Sequence, residues 1–435
     1  MMSSLHSLAT PPCDTDFVGE NSTESGNVGV SDSAIREEKP RPLRLLLLSS
    51  DTGGGHRSAA KALKEQLQLL AKQRNIRLKI EVRRVLEEST WLNRLFASIY
   101  NTLLQRRQHW VHYYYSFINW LKPNQSLMVL LPMWHYAKRL FYRDTPTLVV
   151  SVHPMTQHFY AFMQQFMTPI QGVPLVTVVT DPFYGFWKGW ACPSVEQYIV
   201  ASDSAKQQLV DYHVEADKIH LLGLPVGKAF VPLPLQERLA LRRLRDIPLN
   251  KLVVFFNAGF VGGGSIPQLL EQTLEALEMQ ASVNQHVHLV VLTGKNKALL
   301  AQCQRWMKQH PHVSVTLLGS TQHMHEWMQL SDVMVSKTGA LTTFEALATG
   351  LPLLVEQVHP PMPQEAGTAR FVEAIGAGAS VRQGAEIVQY LQRFITHPDS
   401  LQRWREAALA QRTHESSLRI ASLLLDKLLC LAFNR

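Results

Sequence analysis

The sequence predicts an α/β protein of two domains, each a parallel sheet wound with helices. Three observations carry this. The 435 residues exceed what one core usually holds. Apolar runs of strand length alternate with helical patterns. A strand–glycine–helix unit then opens each half, as "LRLLLLSSDTGGGHRSAAKALKEQL" and again as "VVFFNAGFVGGGSIPQLLEQTLEAL".

Before the first strand, residues 1–40 are rich in Ser, Thr, Gly, Asn and acid and show no apolar period, so they read as a disordered leader. They hold seven acids and two bases, so the rest of the chain carries +13 where the whole carries +8. That excess favours phosphate ligands, nucleic acid or an anionic membrane surface. Strands buried on both faces are expected at 43–48, 147–152, 175–180 and 197–201, then at 252–256, 287–293, 313–317, 333–335 and 351–355. Helical patterns fall between them, as at 56–71, 202–211, 266–279 and 341–349. A Pro-rich stretch over 224–250 marks the linker. The expected divisions are 1–40, a first domain at 41–227, a second at 228–415 and a terminal helix within 416–435. Two doubly wound domains place a ligand cleft between the C-terminal ends of their strands.

Cys13, Cys192, Cys303 and Cys430 have neither metal-ligand nor redox spacing and read as free thiols of a reducing cytoplasm. No apolar core of a secretory signal is present, and no apolar run is long enough to span a membrane.

The first glycine loop carries chemistry. Gly53, Gly54 and Gly55 follow a strand and precede a helix, so their amides can face an anion at a positive helix end, or simply form a turn. The Lys-Ser/Thr ending of a P-loop is absent. His56 starts the helix, where the dipole disfavours its protonated form, and a neutral imidazole at a cleft suits a general base. In the second half, Thr338 and Gly339 open a helix that carries Glu345, either a partner for ribose hydroxyls or an exposed helix residue. Gln364 and Glu365 are expected in the first turn of a later helix, to hold sugar hydroxyls or to favour the helix end. Residues 91–143 hold seven Lys/Arg, no Asp or Glu, and many aromatics. Trp91, Arg94, Arg106, Arg107, Trp110 and Trp120 suit an anionic membrane interface, or an aromatic core with a basic face. Nucleic acid is not the expected partner, because the glycine loops point to a small phosphorylated ligand.

The motifs "LLSSDTGGGHRSAAKAL", "SVHPMTQH", "VVTDPF", "LLGLPVGKAF", "LTGKNKAL", "SDVMVSKTGALTTFEALATGLPLL" and "QEAGTARFV" stand in the order found in monogalactosyldiacylglycerol synthases and processive diacylglycerol glucosyltransferases. The chain resembles that family over 42–415. The resemblance implies a GT-B fold and inverting transfer from a UDP-hexose to diacylglycerol, with no cofactor and no obligatory metal. It also implies a cytoplasmic enzyme held peripherally at a membrane. His56 would then stand at the reaction centre, with Asp181 orienting or assisting the base. His153 would line the acceptor side or serve as a structural histidine. Gly259, Lys337, Thr338, Gly339, Glu345, Gln364 and Glu365 would hold the donor. A polyprenyl or soluble acceptor, or a binding protein without transfer activity, are the alternatives. The chain departs from the family pattern at "KTGALTT", at "PFYGFWKGWACP", at "NAGFVGGGS" and at Thr368, all in the expected donor and acceptor pockets.

Overall fold

The computed structural model describes residues 42–51, 54–91, 93–95, 98–99, 126–259 and 262–433. The leader, Cys13, Gly53, Arg106, Arg107, Trp110 and Trp120 lie outside them.

Six strands form the first sheet: β1 (Leu43–Ser49), β2 (Leu78–Arg84), β3 (Leu148–Ser151), β4 (Leu175–Val178), β5 (Gln197–Val200) and β6 (Ile219–Leu221). They run parallel in the order β2-β1-β3-β4-β5-β6. The second sheet holds β7 (Leu252–Asn257), β8 (Val287–Leu292), β9 (Val315–Leu318), β10 (Val333–Ser336), β11 (Leu353–Glu356) and β12 (Gly378–Val381). Its order is β12-β11-β10-β7-β8-β9, again parallel. With helices packed on both, this is the two-domain GT-B architecture.

Parallel sheets are covered on both faces, and the side chains divide accordingly. Along β1, Leu46 and Leu48 enter one core while Leu45 and Leu47 enter the other. Along β7, Val254 and Phe256 face one layer and Val253 and Phe255 the opposite one. Three strands carried no continuous apolar run: β2, β6 and β12. All three are sheet edges, covered less fully, and β2 ("LKIEVRR") alternates apolar and charged residues.

Two further helices bear on the division of the chain. The Pro-rich linker contains a helix, Leu235–Leu244, that docks on the second domain. Its Arg238 and Arg242 both reach Asp332, Arg242 at 2.7 Å, and the Val253 amide donates to the same carboxylate at 2.7 Å. The final helix, Ser416–Phe433, returns to the first domain, where Ile420, Ala421, Leu424, Leu425 and Leu428 share a core with Leu45, Leu63 and Val150. Between the sheets, Phe183, Leu224 and Val226 pack against Phe344 and Ala348. At this junction Gly185 has φ +110°, and a Cβ there would sit 2.3 Å from the Pro363 carbonyl oxygen. Only glycine lets the two loops approach so closely.

Among the described residues, no helix is long and apolar enough to cross a membrane. Cys192, Cys303 and Cys430 are free thiols.

Candidate functional site

Both sheets direct the C-terminal ends of their strands at one cavity of about 740 Å³. In each sheet the strand order reverses once, between β1 and β3 and between β7 and β10. A crevice opens at such a reversal. His56 (after β1) and His153 (after β3) flank the first, and Gly259 (after β7) and Lys337 (after β10) flank the second. A Cβ on Gly259 would lie 3.7 Å from Lys337 Cε, so the two loops nearly touch.

The His56 imidazole is held from one side. Its Nδ1 lies 2.9 Å from the Val152 carbonyl oxygen and 2.8 Å from Thr180 Oγ1. A carbonyl only accepts, so Nδ1 carries the proton and Nε2 keeps its lone pair. Burial pushes the His56 pKa down to about 4, against the raising effects of the Val152 carbonyl and Glu87. The imidazole is therefore neutral at physiological pH.

His153 stands edge-on to His56, with ring centroids 4.6 Å apart. It caps the helix Pro154–Phe166: its Nδ1 accepts from the Met155 amide at 3.2 Å. Burial, with His56 adding to it, holds the ring well below the usual histidine range. It lines the cavity, and its cap gives it a structural role as well. Asp181 does not orient His56, contrary to one sequence expectation. The orienting contacts come from Val152 and Thr180, and Asp181 Oδ2 accepts from the Trp190 indole at 2.7 Å. Burial pushes the Asp181 pKa up to about 6, and Trp190 opposes that shift.

Two helix N-termini face the cavity without a side-chain cap. The helix Gly55–Gln73 starts behind Gly54 and the helix Ala340–Ala348 behind Gly339, and neither has an acid in its first turn. Gly54, Gly55, His56 and Arg57 line the cavity at one, and Gly339, Ala340, Leu341 and Thr342 at the other. Backbone amides at a positive helix end are what a diphosphate requires. Lys337 lies alongside, its pKa lowered by burial while Glu365 and Glu356 oppose the shift.

Thr338 is a correction. It does not line the cavity; its hydroxyl donates to Glu365 Oε2 at 2.9 Å, and its carbonyl accepts from the Thr368 hydroxyl at 2.9 Å. Thr338 sits at a bend between β10 and the helix, and its side chain turns towards Glu365. Thr338 thus braces Glu365. Gln364 and Glu365 sit in a single 3₁₀ turn, Pro363–Glu365, ahead of the helix Gly367–Ala374. Both line the cavity. Burial raises the Glu365 pKa, Thr338 and Lys337 counter the shift, and nearby Asp181 adds to it.

Glu345 lines the cavity and is 9% exposed, which removes the exposed-helix alternative. Burial pushes its pKa up to about 8. A folded-state pKa above the usual value means that stability falls as pH rises from about 4.5 to about 8. Glu345→Gln is therefore expected to raise Tm by several degrees at pH 8.5 and by less at pH 5. The same variant should raise the KM for a nucleotide sugar about tenfold. Thermal unfolding at the two pH values and donor titration check these two outcomes.

Trp91 is 73% exposed, and Arg94 is also exposed and donates from Nε to the Glu87 carbonyl at 3.1 Å. Neither lines the cavity. The sequence reading missed Thr180, Trp187, Lys61 and His325, all of which do. Thr180 was within reach, since it immediately precedes Asp181 in "VVTD". Lys61 and His325 meet only through tertiary structure.

Comparison with known proteins gives two family domains. The monogalactosyldiacylglycerol (MGDG) synthase domain matches residues 56–226, and the glycosyltransferase family 28 C-terminal domain matches 259–368. A probable monogalactosyldiacylglycerol synthase 2, chloroplastic, of Oryza sativa subsp. japonica is 28% identical over 84% of this chain and 76% of its own. A processive diacylglycerol beta-glucosyltransferase of Staphylococcus carnosus is 25% identical over 82% of this chain and 86% of its own. Among solved structures, a Rickettsia africae glycosyltransferase aligns with TM-score 0.56 at 12% identity, over 90% of this chain and 99% of that one. The Anabaena protein HepE in complex with UDP-glucose aligns with TM-score 0.54 at 13% identity, over 88% of this chain and 100% of that one. At these identities the structural matches speak to the fold.

Proposed function

We propose, for a chain that belongs to the monogalactosyldiacylglycerol synthase and processive diacylglycerol glucosyltransferase family, that it moves a hexose from a UDP-sugar to diacylglycerol and leaves a β-glycolipid. One observation carries the reading: a neutral histidine with a free Nε2 shares a cavity with two uncapped helix N-termini. An inverting transfer needs a base on one face of the anomeric carbon and a receptor for departing charge on the other.

His56 Nε2 takes the proton of the acceptor hydroxyl. The acceptor oxygen then bonds to the anomeric carbon as the bond from that carbon to the UDP oxygen breaks. The charge that collects on the departing diphosphate meets the amides behind Gly339 and the Lys337 ammonium. Glu345 accepts from the ribose hydroxyls, while Gln364 and Glu365 hold the sugar. No step of this reading requires a metal ion.

The acceptor is a lipid, so the enzyme works at a membrane surface. Leu127, Met128 and Leu131 stand exposed on one helical stretch whose Leu130 and Met133 are buried. Basic Lys138 lies 5.8 Å from the Trp134 ring, and Arg139 follows it. Apolar side chains flanked by cations suit an anionic bilayer. Replacing Met128 and Leu131 with Glu is expected to weaken binding to phosphatidylglycerol vesicles by about tenfold or more. Vesicle flotation measures this, and equal flotation of both proteins would remove this surface from the proposal.

The reaction itself is tested by radiolabel transfer. Purified protein, diacylglycerol vesicles and EDTA are combined with UDP-glucose, UDP-galactose or UDP-GlcNAc in turn. A labelled glycolipid from one hexose donor identifies the sugar and the metal-free course. Donor binding without any product would shift the reading to another acceptor or to a binding protein.

A further inference from the structure

We propose that Thr180 is a positioning residue that, together with the Val152 carbonyl, locks His56 into the tautomer whose free nitrogen, Nε2, is left for the substrate. The inference rests on the base role given to His56 above.

The Val152 carbonyl follows β3 and Thr180 follows β4, so adjacent strands deliver two acceptors to one ring nitrogen. The alternative tautomer would point the Nδ1 lone pair at a carbonyl oxygen 2.9 Å away, which repels it. The Nδ1 proton therefore bridges both oxygens. One acceptor would settle the tautomer but leave the ring free to swing about that bond; the second fixes its rotation. Thr180 is 7% exposed and lines the cavity, so its hydroxyl is withdrawn from bulk water and placed at the site. A familiar alternative is a carboxylate behind the histidine, which stabilises the imidazolium as well as orienting it. Here both orienting groups are uncharged. Asp181, the next residue, is engaged by the Trp190 indole.

Thr180→Val keeps the shape and removes the hydroxyl, and Thr180→Ser keeps the hydroxyl. Removing one neutral hydrogen bond from the base is expected to lower kcat by up to about tenfold, with KM for UDP-hexose unchanged. Thr180→Ser should recover most of the loss. Histidine ¹⁵N NMR of the unliganded protein, with His56→Gln marking the resonance, reads the tautomer directly. Wild type should show protonated Nδ1 and bare Nε2, and Thr180→Val should keep that tautomer but show a broadened signal from the swinging ring. A protonated Nε2 in wild type overturns the proposal, as does a Thr180→Val enzyme of unaltered kcat or a Thr180→Ser enzyme as slow as Thr180→Val. The NMR measurement needs no turnover, so a protein that transfers no sugar would fail the function above while still deciding this point.

Discussion

His56→Ala is expected to lower glycosyl transfer by about 10²–10⁴-fold while leaving UDP-hexose affinity within about twofold of wild type. The split follows from the geometry. His56 belongs to the first domain, on the helix that follows β1 at the β1/β3 reversal, whereas the helix end behind Gly339, Lys337 and Glu345 all belong to the second domain. Donor binding measured by calorimetry and transfer measured by radiolabel separate the two. The pH profile gives a further check. A base must be deprotonated, so activity falls as pH drops through its pKa. With His56 as base, kcat/KM should hold down to about pH 4. An acid limb near pH 6 that Asp181→Asn abolishes would assign the base to Asp181 instead. His56→Ala at near-normal turnover would remove His56 as the base.

Asp332→Ala is expected to destabilise the protein by about 3–5 kcal/mol, without any group of the cavity being altered. Burial alone would push the Asp332 carboxyl up, but Arg238 and Arg242 hold it below the usual carboxylate range. Arg405 lies in the same cluster, and burial followed by Arg238 lowers its own pKa to about 10. Removing the one carboxylate leaves the buried Arg238 and Arg242 and the half-buried Arg405 without their shared counter-charge. Because the folded-state pKa is depressed, the carboxylate stabilises above its ordinary pKa of 3.8 and the contribution fades as pH falls below it. Urea unfolding at pH 7 should show the full difference, and the two proteins should converge at low pH.

The architecture was readable because β1, β3, β4, β7, β8, β10 and β11 lie inside their sheets and bury both faces, leaving unbroken apolar runs in the chain. The edges β2, β6 and β12 lacked that signal for the same physical reason. Residues singled out by the glycine loops and helix starts do come together: Gly54 to His56, Gly339 and Glu345 all line the cavity. The site was not readable where a bend in the chain decides. Thr338 and Gly339 are neighbours, yet one braces Glu365 and the other opens a helix. Nor could the sequence place Val152 behind His56, because a backbone carbonyl carries no residue signature.

The return of the helix Ser416–Phe433 to the first domain has a consequence during synthesis. All six strands of the first sheet are synthesised by Leu221, but the helix that covers Leu45, Leu47 and Leu63 follows only after the whole second sheet. At ordinary elongation rates of about 5–20 residues per second, that face stays open for roughly 10–40 s. A nascent chain at this stage exposes a leucine- and valine-rich surface that only its own tail can close. A fragment ending before Ser416 should therefore collect in inclusion bodies. Supplying residues 416–433 ahead of β1 in a circular permutant should let the first domain complete its core as it emerges.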